Sequence, residues 1–422
     1  MANQASMTNN LDLRYWMRHS VPPLLALLRA AGSYSDADQG KHIQFLCDYV
    51  LPNFGPRPTD DSSSKSWFTQ SGFPMDLSLN LNAGKPKVRY AWEFIGPNGP
   101  EDDDMYAIGA LRKCLASLST ELGFSTQWAD ALLDALAPTS EEATTTQQNI
   151  QQWQASLLPP GVEPKAGARL PFAALAFGLD GPRTDTKLYI SPQIKEMGSA
   201  KSMNGTIWNV ARHLEPLISQ NAITAVSEFL LERPGPPCMD MLCVDLVKEQ
   251  DLHRARFKIY VHTTSNSFNT VQQCITLGGR RQDEVTLKSV EVLRSIWHLL
   301  LQEKEEVTND YEKPVNDPAM LVMKLFFCIE ITPGQDLPDV KLHVPIFNYL
   351  KSDAETIENF EKIFQKCGQE WAANGKYKEA FELAFGDPGT DREVPIHGHT
   401  SFSCTTSGVY QTLYFSVPRC ME

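Results

Sequence analysis

The sequence predicts one α+β domain, a ten-stranded antiparallel β-barrel ringed by α-helices. Five pairs of strand-like segments lie along the 422 residues, each joined by a short turn-rich link and separated from the next by helical sequence. The pairs begin near residues 75, 171, 240, 322 and 400, a loose repeat of about 80 residues. Closure into a barrel would remove every exposed sheet edge. We therefore expect a single domain over residues 1–422, with a helical part over 1–70 and the barrel with its helices over 71–422.

Turn sequences such as Asp180-Gly181-Pro182 and Thr332-Pro333-Gly334 fit the links of hairpins. The predicted pairs are Met75–Leu81 with Lys87–Phe94, Pro171–Leu179 with Thr186–Ser191, Asp240–Val247 with Ala255–His262, Val322–Ile331 with Val340–Ile346, and Thr400–Thr405 with Tyr410–Ser416.

Apolar residues at helical spacing predict helices between the hairpins. Ile108–Leu122 and Val290–Leu300 each carry an apolar residue every three or four positions. Ile357–Cys367 does the same after a capping box that begins at Ser352. The segment Thr139–Gln148 is polar and threonine-rich, so we predict a surface excursion there.

Charge and composition exclude several classes of protein. The formal charge of −13 argues against nucleic acid as the main partner, because phosphate binding needs a basic surface. No signal peptide is apparent, and the most apolar N-terminal stretch, Val21–Ala31, is too short to span a bilayer. Nine scattered cysteines without a CxxC pair are typical of reduced thiols. We expect a cytoplasmic protein with no membrane partner, and a monomer and a homodimer both stay open.

Basic residues recur on the second strands of the hairpins. They are Arg89, Lys187, Arg256, Lys258 and Lys341. Side chains alternate along a strand, so Lys187 and Lys258 each share a face with the tyrosine two residues later. On a single strand, this polar face could simply meet solvent. Across five strands ringed by helices it would face the lumen, where unpaired cations are costly. The pattern therefore predicts a bound anion, and a diphosphate suits converging cations and hydroxyls.

Tyrosines interleave with these cations at Tyr189, Tyr260, Tyr410 and Tyr414. Phosphate binding needs no aromatic faces, whereas ring faces attract a carbocation. Together the two features suit the ionisation of an allylic diphosphate. On the first strand, Asp76 either accepts a hydrogen bond from a substrate N–H or O–H, or pairs with a lumen cation.

No metal site or cofactor is predicted. The acidic run Glu101–Asp104 lies at the start of a predicted helix, where negative charge suits the helix dipole. The sequence has no second acidic cluster that could complete a metal site with it. His397 and His399 lack partners at ligand spacing. The sequence contains no P-loop, GxGxxG, GxSxG or HExxH motif.

Several of these motifs, taken in order, resemble the fungal aromatic prenyltransferases of the dimethylallyltryptophan synthase family. The resemblance covers most of the chain. It rests on Trp16, Val50–Pro58, Gly72–Asn80, Val88-Arg89-Tyr90, Lys187-x-Tyr189, Arg256-x-Lys258-x-Tyr260 and Tyr410-x-x-x-Tyr414. It implies a barrel of repeated α-β-β-α units and metal-independent transfer of a dimethylallyl group from dimethylallyl diphosphate to an electron-rich aromatic, such as an indole-containing metabolite. The five cations would then bind diphosphate, and the four tyrosines would shield the allyl cation.

Three departures from the family pattern bear on the acceptor. Asp76 stands where the family has Glu to hold an indole N–H. His343 follows Lys341 where the family often has Tyr, so His343 could bind diphosphate or act as a base, a role for which Asp76 is the other candidate. Pro171–Leu179 lacks the lysine of enzymes that prenylate C4 of tryptophan.

Several alternatives remain open at this point. The acceptor could be a phenolic polyketide or an indole diterpene instead of a free indole amino acid. A non-catalytic anion-binding barrel is the alternative from another class of protein. Phe326 is our candidate for closing the pocket behind a five-carbon donor chain.

Overall fold

The barrel forms as predicted. The computed structural model describes residues 11–58, 65–82, 84–101, 104–157, 170–233, 239–317 and 323–418. In it, ten antiparallel strands close into one barrel, in which each strand pairs with its neighbours in sequence and the first strand pairs with the last. The strands are β1 (Met75–Leu81), β2 (Lys87–Glu93), β3 (Ala173–Asp180), β4 (Arg183–Ile190), β5 (Met241–Leu246), β6 (Phe257–Thr263), β7 (Leu325–Ile331), β8 (Asp339–Val344), β9 (His397–Thr405) and β10 (Gly408–Ser416).

Helices surround this barrel and fill the connections between hairpins. They are α1 (Leu11–Ala31), α2 (Asp36–Phe45), α3 (Ile108–Leu122), α4 (Gln127–Leu136), α5 (Ser140–Leu157), α6 (Gln193–Ser199), α7 (Asn204–His213), α8 (Gln220–Glu232), α9 (Phe268–Ile275), α10 (Glu284–Leu300), α11 (Asp353–Lys366) and α12 (Lys376–Phe385). None of the described helices combines the length and the apolar character needed to cross a bilayer.

The two faces of the barrel have opposite polarity. On β6, Phe257, Ile259 and Val261 are almost fully buried in the core between barrel and helices. Lys258 and Tyr260, which alternate with them, line the lumen. Burial of the apolar face against helices therefore turns the polar face inward, because successive side chains of a strand point to opposite sides.

Some predicted boundaries shift by a few residues. Strand β4 begins at Arg183 instead of Thr186, and β9 begins at His397 instead of Thr400. Val322, the predicted start of β7, lies outside the described residues. Such shifts are ordinary, because strand ends depend on partners that a single sequence does not reveal.

The predicted surface excursion at Thr139–Gln148 is wrong, because this segment belongs to α5. Thr139 and Glu142 form a capping box: the Thr139 hydroxyl accepts from the Glu142 amide, and the Glu142 carboxylate accepts from the Thr139 amide. Ala143 and Thr146 are buried, and the Thr146 hydroxyl donates to the carbonyl of Ile194 on α6 at 2.6 Å. The threonines misled the prediction, since each hydroxyl is satisfied along its own helix or by the next one.

A buried polar network ties α11 and α12 to β9 outside the lumen. The Asp353 carboxylate accepts from the backbone amides of Ile396 and His397, both at 3.0 Å, and from Nδ1 of His397 at 2.5 Å. The other ring nitrogen of His397 lies 2.8 Å from the Tyr377 hydroxyl. These groups satisfy one another in an apolar setting, so the network fixes two helices on the barrel wall.

Candidate active site

The barrel lumen holds a cavity that opens to solvent, with about 640 Å³ of empty space. The cavity is lined by eleven of the twelve residues that the sequence indicated for the site: Asp76, Arg89, Lys187, Tyr189, Arg256, Lys258, Tyr260, Lys341, His343, Tyr410 and Tyr414. Strand alternation thus brings residues from six strands together around one space.

Five basic side chains form what we call the cation layer: Arg89, Lys187, Arg256, Lys258 and Lys341. Three of them are held by two carboxylates that the sequence analysis missed, Asp245 and Glu330. Asp245 accepts from Arg256 Nε at 2.6 Å and from Lys258 Nζ at 2.5 Å. Glu330 accepts from Arg256 at 3.1 Å and from Lys341 Nζ at 2.8 Å. The expectation that the lumen cations are unpaired is therefore wrong for these three.

Asp245 and Glu330 could have been found by the same alternation rule. Asp245 shares a face with Cys243 on β5 and lies opposite Lys187 in the strand pairing. Glu330 lies opposite Lys258. Both stand on strands next to those that carry the cations, so the alternation that places the cations in the lumen also places their counter-charges there.

The other two cations have no carboxylate partner among the described residues. Arg89 donates to the Tyr410 hydroxyl at 2.5 Å. Lys187 has no hydrogen-bond partner in the described part of the chain, and burial, together with the nearby Lys258 and Arg89, lowers its pKa to about 7. A buried ammonium next to other cations favours its neutral form unless an anion joins it. Arg89 and Lys187 therefore leave the lumen short of negative charge.

Rings continue around the lumen beside the cation layer in what we call the aromatic arc: Tyr189, Tyr260, His343, His399 and Tyr414. Ring centroids are 6.0 Å apart between Tyr189 and Tyr260, and 5.6 Å apart between Tyr260 and His343. His343 then lies 6.1 Å from Tyr414, whose ring is stacked on His399 at 3.8 Å. On β4, β6 and β8, each ring follows a cation by two residues, a rise of roughly 7 Å along the strand.

The predicted tyrosines divide between the two groups. Tyr410 lies among the cations, with Lys341 Nζ 5.0 Å from its ring centroid. Burial acts to raise its pKa, but Arg89 and Lys341 outweigh burial and lower the pKa. Burial raises the pKa of Tyr189, Tyr260 and Tyr414, so these three stay neutral phenols.

Both histidines of the arc are neutral rings at ordinary pH. Burial and the neighbouring His399 lower the pKa of His343 well below its usual value. Burial lowers the pKa of His399 to about 4. Neither ring therefore adds a positive charge to this side of the lumen, and sequence reasoning missed the place of His399 behind Tyr414.

Asp76 lines the lumen on β1 and lies near enough to Tyr414 to influence its hydroxyl electrostatically. Its Oδ1 accepts from the backbone amide of Ala91 at 3.1 Å. Burial raises its pKa to about 7, so the carboxyl can both accept and release a proton near neutral pH.

The wall beside Asp76 is built from small residues. This small-residue wall comprises Ser78, Ala91, Ala176 and Gly178 on β1, β2 and β3. Ala176 pairs with Ala91 on one side and with Lys187 on the other. The small-residue wall thus occupies the part of the barrel between β10, which carries Tyr414, and β4, which carries Tyr189.

Phe326 does not line the cavity. It lies on β7 opposite His262 and His343 in the strand pairing and is half-buried. The interpretation of Phe326 as the end of a donor pocket thus gains no support from the cavity.

Two groups that the sequence analysis weighed as metal ligands, the acidic run Glu101–Asp104 and His397, contain residues with structural roles. The Asp104 carboxylate accepts from the first amides of α3, Ile108 at 2.7 Å and Gly109 at 3.1 Å, while Asp102 and Asp103 lie outside the described residues. His397 belongs to the Asp353 network. Among the described residues, no group of three or more His, Cys, Asp and Glu side chains is placed to hold a metal ion.

Comparison with known proteins gives consistent matches. The family model described as tryptophan dimethylallyltransferase matches residues 12–380. The indole diterpene prenyltransferase terF of Tolypocladium album is 46% identical over 406 residues, which cover 96% of this chain and 93% of terF. The indole diterpene prenyltransferase ltmF of Epichloe festucae var. lolii is 41% identical, over 97% of this chain and 94% of ltmF.

Among solved structures, AnaPT from Neosartorya fischeri matches with a TM-score of 0.80 at 22% identity. The match covers 98% of this chain and 96% of AnaPT. At that identity the likeness establishes the fold, and the ten-stranded barrel is common to both proteins.

Proposed function

The chain belongs to the tryptophan dimethylallyltransferase family and is an aromatic prenyltransferase, and from this premise we propose that it transfers a dimethylallyl group from dimethylallyl diphosphate to an indole diterpene without a metal ion. The observation that carries the proposal is the juxtaposition, in one lumen, of the cation layer with the aromatic arc.

The cation layer is the proposed diphosphate site. Five cations less the two carboxylates Asp245 and Glu330 leave a surplus of three positive charges when Lys187 is protonated. A diphosphate carries a similar negative charge and accepts several charge-assisted hydrogen bonds. As the C–O bond of the donor breaks, negative charge grows on the leaving diphosphate, and fixed cations stabilise it without a metal ion.

The aromatic arc is the proposed shield of the allyl cation. Neutral rings present negative faces to a carbocation and exclude the water that would quench it. His343 takes part as a ring that carries no charge at ordinary pH. The low pKa also makes His343 a weak proton acceptor, which favours Asp76 over His343 for proton transfer.

Asp76 is the proposed anchor of the acceptor. As a carboxylate, it accepts a hydrogen bond from an indole N–H and stabilises the positive charge that the ring gains on attack. With a pKa raised to about 7, it is also matched to taking up a proton near neutral pH.

Two observations favour an indole diterpene as the acceptor over an amino acid. The relatives terF and ltmF, which are more than 40% identical over nearly the whole chain, are both named indole diterpene prenyltransferases. The small-residue wall on β1, β2 and β3 presents only short side chains, which suits the approach of a fused ring system to Asp76.

The test is an assay with dimethylallyl diphosphate and a panel of indole diterpenes, tryptophan, indole dipeptides and phenolic polyketides, in the presence of EDTA. We expect prenylated indole diterpene by mass spectrometry, at a rate that EDTA does not reduce. Loss of all prenyl transfer in the presence of EDTA would refute the metal-free mechanism. A higher rate with tryptophan or with a phenol would refute the proposal that the acceptor is an indole diterpene.

A further inference from the structure

Two buried carboxylates stand inside a site that is proposed to bind an anion. The side chains of Asp245 and Glu330 are only 10% and 8% exposed. Between them they accept four hydrogen bonds, at 2.5 to 3.1 Å, from Arg256, Lys258 and Lys341. Glu330 lines the cavity itself, and Asp245 lies against the cations that do.

Both carboxylates are ionised. Burial acts to raise the pKa of Asp245, but Lys258 and Arg256 outweigh it and hold that pKa well below the usual range. Burial likewise acts to raise the pKa of Glu330, but Lys341 and Lys258 outweigh it and hold that pKa well below the usual range. A diphosphate in the cation layer would therefore share its cations with two negative charges and be repelled by both.

We propose that Asp245 and Glu330 are positioning residues that weaken the binding of diphosphate, so that the product diphosphate leaves and the enzyme turns over. This inference rests on the proposed function, because it takes the cation layer as the diphosphate site.

The physical reason is that diphosphate is part of both the donor and the product. Interactions equally strong in the bound donor and in the transition state do not speed the chemical step, and they slow the departure of product. Five cations in a lumen with no counter-charge would hold the product tightly. The two carboxylates cancel part of this attraction and keep Arg256, Lys258 and Lys341 in place when no ligand is bound.

A purely structural role for the carboxylates predicts the opposite outcome. If they served only to hold the cations in a binding geometry, their removal would disorder the cations and weaken diphosphate binding. The sign of the change in affinity therefore separates the two roles.

The experiment uses the isosteric variants Asp245→Asn and Glu330→Gln. Calorimetric titration with inorganic diphosphate is expected to give a Kd at least about tenfold lower in each variant. In steady state, kcat and the KM for the donor are both expected to fall. In a single turnover, the rate of prenyl transfer is expected to stay within about threefold, so that a burst of product precedes a slower steady state.

Unchanged or weaker diphosphate binding in both folded variants would overturn the inference. Thermal unfolding checks that each variant is folded. Because Asp245 and Glu330 are substituted separately, the inference can still be tested if one of the two variants does not fold. Asp134→Asn is the matched control: it removes a carboxylate that pairs with Arg112 on the surface at 2.6 Å, and it should change neither affinity nor kcat. Failure of the unaltered protein to bind diphosphate would instead refute the proposed function itself.

Discussion

The protonation state of Lys187 depends on whether an anionic ligand is bound. In the described part of the chain it has no hydrogen-bond partner, and burial with neighbouring cations lowers its pKa to about 7. A diphosphate would stabilise its ammonium form and raise that pKa. Binding of donor and protonation of Lys187 are therefore coupled.

This coupling predicts a pH dependence of donor affinity. Dimethylallyl thiolodiphosphate should bind best below about pH 7, and its Kd should rise as pH increases above that, by at most roughly tenfold per pH unit, until the pKa of the bound state is reached. Lys187→Arg stays charged throughout and should lack this rise. Because the ligand's own titration is common to both proteins, identical pH profiles would contradict the role of Lys187.

At the residue scale, the sequence predicted well which side chains face the lumen, but it predicted poorly which groups they pair with. Alternation placed Lys187, Lys258 and Tyr260 in the lumen because the period of a strand is fixed. It left Asp245 and Glu330 unnoticed because a search for one sign of charge does not reveal its counter-charges. His399 was weighed only as a metal ligand, because the predicted strand began at Thr400. Its stacking on Tyr414 depends on the earlier start of β9 and on the register of β9 against β10, which shifts between Leu413 and Phe415.

Among the elements, α11, α12 and β9 are joined by the Asp353 network. Burial acts to raise the pKa of Asp353, but hydrogen bonds from His397 and from backbone amides outweigh it and lower the pKa. A carboxyl whose pKa is depressed in the folded state stabilises the fold above its unfolded pKa, and that stability is lost as pH falls.

Asp353→Asn should therefore lower the free energy of unfolding by about 2 to 4 kcal/mol at neutral pH. The difference from the unaltered protein should shrink below about pH 4, where the carboxyl of the unfolded chain becomes protonated while the native carboxyl, with its depressed pKa, still resists protonation. Urea unfolding at several pH values measures this. Asp48→Asn, on an exposed carboxylate bound only to Gln44 among the described residues, is the control. Equal losses in the two variants, or a difference constant with pH, would contradict the prediction.

At the element scale, hairpins were easier to predict than helices. Strand pairs joined by short turns gave all ten strands, with ends displaced by a few residues. The helix α5 was missed because its threonines resemble a loop, although Thr139 and Glu142 carry a capping box that marks its start. Its burial depends on contact with α6, which no local pattern predicts.

Across the whole barrel, the lumen is asymmetric, with rings on one side and small residues on the other. Ala176 stands in the small-residue wall between Ala91 and Lys187. Ala176→Leu should fill the space beside Asp76 and lower kcat/KM for a polycyclic acceptor at least about tenfold, while inorganic diphosphate binds within about threefold of its usual affinity.

Kinetics with the preferred acceptor and with free indole check this, since the smaller acceptor should lose less. Ala116→Leu adds the same side chain on the exposed face of α3 and serves as the control. An equal loss for both acceptors would contradict a role in selecting acceptor size.

The whole-molecule charge of −13 gave a misleading first impression of the ligand. The acidic surplus describes the protein as a whole, whereas the lumen gathers five cations against the three carboxyl groups of Asp76, Asp245 and Glu330. Net charge therefore governs solubility and says little about an enclosed site.

Barrel closure also has a consequence for the order of synthesis. Arg89 stands on the first hairpin, and its hydrogen-bond partner Tyr410 follows it by 321 residues, on the last one. The seam between β1 and β10 joins Asp76 to Ser416 and Ser78 to Tyr414. A growing chain therefore gains neither a closed lumen nor the complete diphosphate site until its final strand leaves the ribosome, so no shorter nascent form can sequester the donor.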